Sequence, residues 1–495
     1  MHLDYQAMPA WPPLAWLAKL HKNDAVATIL HGAQVETTDD WFCEAVWPDD
    51  YESGGFDLTD IVSGSGGRLR GKNLVFVSAG ATVDRLASIE AQSGVYVSNS
   101  LPCLLAAIGA RFDPSYPDYF ADLNSIIQGV DKYRRSFETS AGVVKLTYFH
   151  NLTWDGSNLD VTAKAFPRRD FGSFARYRDF MAGTMSQLAR NINDPKRTTR
   201  YTMLGTLSTG YDSPTVTTLA REAGCIEALC IDKAMHGHDD SGDAIAEILG
   251  VQAIRIRRAE WREFVMPEPP FIVGDGLGQD LAFRSAERLL RGRVLMTGYH
   301  GKVWQKQPGK YLSETIVRAD SSGLSMTEYR LSAGFIHCPI TFWGVRQTRE
   351  LNALSNAPEM KQWDIPGMFK DYSKPICRRI VEQAGVPREL FGQLKKAGSV
   401  LSEELLAPAS MSSYLAWLKD NRSAWVKRGR VPPPASPRLE AWLSRTSDSV
   451  KTRLNRTPLL WRFAIAPAEA DMTPSWLRRY IFPWAMEQQT ARYAL

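Results

Sequence analysis

Cysteine is scarce in this chain and scattered. Cys43, Cys103, Cys225, Cys230, Cys338 and Cys377 form no CxxC pair within 495 residues. That spacing excludes a disulfide framework and fits a reducing compartment. Long apolar runs are also missing: the most apolar C-terminal stretch, 458–468, is interrupted by Arg462 and flanked by prolines, well short of the ~20 residues of a membrane span. The start, Met1-His2-Leu3-Asp4-Tyr5, lacks the basic, apolar and small-residue regions of a signal peptide. A cytoplasmic protein without a membrane partner is expected. Charge of one sign is lacking too, because 59 Lys+Arg stand against 54 Asp+Glu, a net +5. A field that weak gives no reason to expect a nucleic-acid partner. No internal repeat is found. What remains is an ordinary globular composition, long enough at roughly 100–200 residues per domain for two or three folded units.

The hydrophobic pattern divides the chain at about residues 175 and 405. Short alternating runs such as Leu74-Val75-Phe76-Val77 and Gly94-Val95-Tyr96-Val97-Ser98 predict a strand-rich first domain, 1–175. Helical spacing over Phe174–Asn193 predicts a connector. From Tyr201 the pattern alternates: strand 202–207, helix 214–223, strand 226–231, helix 242–249, strand 252–256. A helix over 279–290 and a strand over 293–296 follow, with mainly helical segments beyond. Such alternation predicts an α/β domain, 176–405, built on a parallel sheet. The Pro-rich 431–437 reads as a stiff linker within a C-terminal extension, 406–495, where Trp461, Trp476 and Trp484 read as packing anchors of helices.

Chemistry is concentrated in Leu207-Ser208-Thr209-Gly210-Tyr211-Asp212-Ser213-Pro214, where a strand turns through small residues into a helix. With Ser213 as N-cap and Pro214 in the first helical position, the turn would aim backbone N–H groups and the positive end of the helix dipole at an anion. A phosphate chain suits that place, and Asp212 beside it suits a hard cation such as Mg²⁺. Three further segments lie downstream: Val294-Leu295-Met296-Thr297-Gly298-Tyr299-His300-Gly301-Lys302, Met326-Thr327-Glu328-Tyr329-Arg330-Leu331, and Lys374-Pro375-Ile376 through Leu394-Lys395-Lys396-Ala397-Gly398.

In this order the segments resemble the asparagine synthetase branch of the N-type ATP pyrophosphatases, the PP-loop family, whose first loop reads Ser-Gly-Gly-x-Asp-Ser. Thr209 replaces a glycine of that pattern. The resemblance implies a glutaminase-like (Ntn-type) β-rich sandwich, then a parallel-sheet PP-loop ATP pyrophosphatase domain, then the helical extension. It implies ATP and Mg²⁺ as cofactors. Leu207, Ser208, Thr209, Gly210, Tyr211, Asp212, Ser213, Ile231, Asp240, Gly298 and Lys302 would surround the nucleotide, with Asp212 as metal ligand. The position of the N-terminal glutaminase cysteine is held by His2, so the chain is similar to members without glutaminase activity, such as β-lactam synthetases and lasso-peptide cyclases. That implies an AMP-forming ligase that adenylates a small-molecule or peptide carboxylate and joins it to an amine. Tyr299 and Glu328 would form the base pair, and Lys395 and Lys396 would neutralise phosphate charge. Lys302 stands where the family has an acidic ligand, which leaves open a catalytically decayed nucleotide-binding scaffold. An ammonia-dependent amidotransferase and a homodimeric assembly also stay open.

Other features read as bland. Gly66 to Asn73 mimics a phosphate-binding P-loop but precedes its strand and reads as a turn. His236-Gly237-His238-Asp239-Asp240 reads as a solvated loop, and Pro195-Lys196-Arg197 with Arg200 as surface charge.

Overall fold

The computed structural model describes residues 1–234, 237–365, 372–394, 396, 406–427 and 474–493. It is a mixed α/β structure. The Pro-rich 431–437 and Trp461 lie outside those residues.

Residues up to Thr162 build two β-sheets. One has seven strands in the order His2–Ala7, Val26–His31, Trp16–Leu20, Gly94–Ser98, Arg85–Ala91, Gly142–Tyr148, Ser136–Thr139. The other has six, in the order Leu159–Thr162, Asn151–Trp154, Asn73–Val77, Ser63–Arg70, Trp41–Val46, Glu36–Thr37. Strand periodicity explains the layering. Trp16, Ala18 and Leu20 point into a core shared with Phe42, Phe76 and Trp154 of the facing sheet, whereas Leu17 points the other way into the main core. A strand buried on both faces needs an unbroken apolar run, which Trp16–Leu20 nearly is. The glycine-rich segment that mimics a P-loop is the hairpin between Ser63–Arg70 and Asn73–Val77, turning at Gly71 with φ +60°.

The expected connector is the helix Phe174–Ile192, started by Ser173, whose side chain accepts from the Arg176 N–H. Its buried Phe174, Tyr177, Met181, Met185, Leu188 and Ile192 recur every three or four residues, as one helical face requires. Beyond it, β1 (Thr202–Leu207), β2 (Glu227–Ile231), β3 (Gln252–Ile256), β4 (Arg293–Thr297) and β5 (Ile336–Pro339) form a parallel sheet ordered β3-β2-β1-β4-β5. Chain order reverses direction between β1 and β4, and a crevice opens beyond the carboxyl ends of strands at such a reversal. The helix α1 (Asp212–Glu222) follows β1, and α2 (Asp243–Leu249) joins β2 to β3. A third helix, α3 (Pro375–Gln383), packs on α1.

Four expectations change. Residues 281–290 form a 3₁₀ turn, Leu281–Ala286, running into a single helical turn, Glu287–Leu290, instead of one helix. The strand β5, only four residues long and flanked by Phe335 and Ile340, was absent from the sequence reading. In the charge run, Lys196 is exposed but Arg197 is buried against Glu36 and over the Tyr51 ring. The C-terminal helix Pro474–Thr490 packs on Pro269–Asp275 and on Leu101–Ile108, so it bridges the two parts and is no separate appendage. Trp484 and Tyr493 are fully buried there. Among the described residues no helix is long and apolar enough to cross a membrane.

Buried ion pairs tie the two halves together. Arg330 donates to both carboxylate oxygens of Glu44, at 2.6 and 3.1 Å, and lies 2.8 Å from Asp84.

Candidate functional site

The first loop owes its position to a close strand–helix contact. A Cβ on Gly205 would sit 2.6 Å from Thr217 Oγ1, which donates to the Thr206 carbonyl at 2.7 Å. This draws α1 tightly onto the end of β1. The helix starts earlier than expected: Tyr211 is the N-cap, Asp212 the first helical residue, and Pro214 the third, where a missing N–H still costs nothing. Ser213 is therefore inside the helix and caps nothing. No side chain caps the helix start, so the first turn is left to face the crevice. Thr209 fits its glycine-like position because neither it nor Gly210 has positive φ. Its N–H and hydroxyl both donate to Asp240 Oδ1, at 2.9 and 2.5 Å, and Ser208 Oγ accepts the Gly210 N–H at 3.2 Å.

The second loop, Gly298 to Lys302, wraps Asp212. A Cβ on Gly298 would lie 2.5 Å from Asp212 Cβ, and one on Gly301 only 2.1 Å from Asp212 Cγ. Both glycines are thus required by the acid of the first loop. Between them His300 takes the left-handed conformation, φ +64°, and burial together with Arg318 pushes its imidazole down to about 3. The Asp212 carboxylate receives two bonds from the buried Lys374 ammonium, at 2.6 and 2.7 Å. Lys374 immediately precedes α3. Lys302 points along the same wall, its ammonium 5.0 Å from the Tyr311 ring centre.

These loops enclose a cavity of about 490 Å³, and it is lined by every expected nucleotide residue except Thr209. Leu207, Ser208, Gly210, Tyr211, Asp212, Ser213, Ile231, Asp240, Gly298 and Lys302 all reach it. Thr209 lies just behind, where Lys396 donates to its hydroxyl at 2.9 Å. Lys396 lines the cavity as expected, whereas Lys395 lies outside the described residues. Leu229, Ile231 and Phe283 give the lining its apolar part, and Gln279, Asp280, Tyr299 and Asp320 a polar one.

The expected Tyr299–Glu328 pair is not formed. Tyr299 lines the cavity but donates to Asp280 Oδ1 at 2.7 Å. Glu328 is no part of the lining. It is buried beside the Leu101–Ile108 helix and accepts a hydrogen bond from the Tyr493 hydroxyl. Its carboxyl is raised above the usual range by burial. Glu328 and Arg330 sit in Met326–Ala333, a helix buried on nearly all sides, where Glu328 meets Tyr493, and Arg330 meets Glu44 and Asp84. Asp280 takes the place expected of Glu328. It accepts from Tyr299, from Ser325 Oγ at 2.6 Å and from the Gly323 N–H at 3.0 Å. Burial raises its proton affinity, and burial plus Asp280 raise that of Tyr299 well above an ordinary phenol.

Asp212 is thus half of an ion pair with the Lys374 ammonium. Among the described residues no group of three or more His, Cys, Asp or Glu could hold a metal ion. The donor set does not fit a protein-held Mg²⁺. In the N-terminal part His2 lies exposed on an edge strand paired with Val26, and all six cysteines are buried. Sequence reasoning missed Asp280 and Lys374 as site residues. Lys374 stood inside a quoted motif and was legible from it, but Asp280 carried no local signal. Neither a family model nor a curated protein matches this chain, so its function has to be read from the cavity itself.

Proposed function

We propose that this chain is an ATP-dependent, AMP-forming ligase of the asparagine synthetase-like, PP-loop type, with a glutaminase-like sandwich that releases no ammonia. The carrying observation is that both glycine loops and Lys396 converge on one cavity at the point where strand order reverses. In the proposed reaction a substrate carboxylate oxygen attacks the α-phosphorus of ATP and pyrophosphate leaves toward the 208–213 loop, where backbone N–H groups and Lys396 receive its charge. The apolar part of the lining, with Ile231, suits the adenine ring. An amine then attacks the acyl carbon of the adenylate, the C–O bond to AMP breaks, and an amide is released. The amine's proton passes to the Tyr299 oxygen as the phenolic proton moves to Asp280, whose raised proton affinity suits it to end the relay. No step is routed through a metal, since Asp212, the acid of the first loop, is paired with Lys374.

The test is isotope exchange between pyrophosphate and ATP across a panel of amino acids and short peptides as carboxylates. Exchange abolished by Lys396→Ala is the expected result. Loss of none of it in that variant removes the assigned role. A second reading, a nucleotide-binding scaffold, is favoured by Lys302 and by the engagement of Asp212 with Lys374. It predicts that bound ATP is recovered intact with every carboxylate.

A further inference from the structure

The charges around this cavity are unevenly committed. Each carboxylate on its wall is engaged by protein donors: Asp212 by Lys374, Asp240 by Thr209, Asp280 by Tyr299, Ser325 and Gly323, and Asp320 by the N–H and hydroxyl of Ser322 at 3.1 and 2.7 Å. Lys374 is committed in the same way, but two other ammonium groups on the wall are less so. Among the described residues Lys302 forms no ion pair and has only an aromatic ring beside it, and Lys396 is held by neutral oxygens with Asp240 no nearer than 4.0 Å. A divalent cation bound by the protein would compete with Lys374 at Asp212 and with three donors at Asp280, and at any of these acids it would share the cavity with those two ammonium groups. A polyanion meets the opposite situation, with two ammonium groups and an uncapped helix start already facing it.

Resting on the phosphate-binding reading above, we infer that the cavity binds the diphosphate part of its ligand directly through Lys302 and Lys396, without a divalent cation held by the protein. Lysine charge then does what a metal would do: it draws electron density from the phosphate oxygens and favours departure of pyrophosphate. Lys302 is the more telling of the two, since it follows Gly301 in the loop that packs on Asp212, lines the cavity and is half-exposed, so its replacement leaves the packing intact.

The experiment is titration calorimetry on the full chain with inorganic pyrophosphate, once in excess EDTA and once in excess Mg²⁺. The expected result is binding in EDTA that Mg²⁺ strengthens by no more than threefold. Lys302→Ala should weaken binding in EDTA at least tenfold. Lys302→Glu should abolish it in EDTA and restore it with Mg²⁺, since an acid at that position gives the metal a ligand. Thermal unfolding of both variants checks that the fold is retained. Wild-type binding that falls tenfold or more in EDTA overturns the inference and leaves the phosphate-binding reading standing, and so does Lys302→Ala binding as tightly as wild type. Absence of pyrophosphate binding under both conditions overturns both together.

Discussion

Gly210 and Gly301 both line the cavity, yet substitution by alanine should separate them cleanly. A methyl on Gly210 meets nothing nearer than Ser208 Oγ at 3.4 Å, an ordinary contact, and the residue has no left-handed φ to lose. Stability should therefore move by no more than about 0.5 kcal/mol. The methyl would instead stand where a phosphate oxygen must approach the loop's N–H groups. Overfilling a tight contact costs about 1–3 kcal/mol, which at 1.4 kcal/mol per decade is roughly a 5- to 150-fold loss of affinity for ATP or pyrophosphate. Gly301→Ala is different in kind. Its Cβ would lie 2.1 Å from Asp212 Cγ and 2.2 and 2.4 Å from the two carboxylate oxygens, so the Asp212–Lys374 pair must break or the loop must move. Here stability should fall by at least about 1–3 kcal/mol along with binding. Thermal unfolding and calorimetry on the two variants give the four numbers needed. Unchanged ATP and pyrophosphate affinity in a stable Gly210→Ala protein would falsify the assignment of this loop as the phosphate contact.

Three more outcomes are expected. Tyr299→Phe and Asp280→Asn should each slow amide formation by about 10²–10⁴ while pyrophosphate–ATP exchange, which precedes the proton transfer, persists; equal loss of both reactions would place the pair in nucleotide binding instead. Removing Arg330 as Arg330→Ala leaves Glu44 and Asp84 buried without their cation and should destabilise by about 3–5 kcal/mol, whereas a denaturation midpoint within experimental error of wild type would show the pair to be dispensable. His337 is buried and held near 3 by burial and by Arg330, so it stays neutral in the folded chain while the unfolded chain takes up a proton below about 6.5. Its contribution is complete above pH 6.5 and is lost as pH falls toward 3. At pH 5.0 the loss is about 2 kcal/mol. Urea midpoints at pH 7.5 and 5.0 should therefore spread less in His337→Gln than in wild type, and an identical spread would mean that the folded imidazole is protonated.

How far the sequence could be read depended on whether the determining contacts were local. The strands 202–207 and 252–256 are found at their expected bounds because their apolar and β-branched residues, Met203, Leu204, Thr206 and Leu207 in one and Ala253, Ile254 and Ile256 in the other, carry the signal within the strand itself. The helix 174–192 was equally plain from its own periodicity. Misreadings fall where the outcome depends on what lies across the chain. Residues 281–290 have helical composition, but Asp280 holds the Ser325 hydroxyl and the Gly323 N–H, and its own N–H donates to Ser325 Oγ, and the segment begins as a tight 3₁₀ turn. Arg197 looks like surface charge in a Pro-Lys-Arg run until Glu36, distant in sequence, supplies its buried partner.

The site shows the same division with a chemical consequence. Backbone features of the cradle, its small residues and its helix start, are consecutive in sequence, and they were legible to within two residues, the helix beginning at Asp212 and not after Ser213. The partners of its ionisable groups come from elsewhere in the chain, and these decide what the cradle can hold. Asp212 read in isolation is a plausible metal ligand. Read beside Lys374, and beside two glycines that leave its carboxylate no room to swing away, it is the fixed half of an ion pair. Tyr299 likewise keeps its expected place but changes its partner, from a glutamate turned into the interdomain core to an aspartate on the cavity wall. Both exchanges alter charge distribution without altering backbone shape. A motif can therefore point to a cavity and still miss the partners of its charged groups, and Lys302 is the position where the proposal is tested: a lysine suits a wall that faces the anion directly, and an acid suits one that faces a metal.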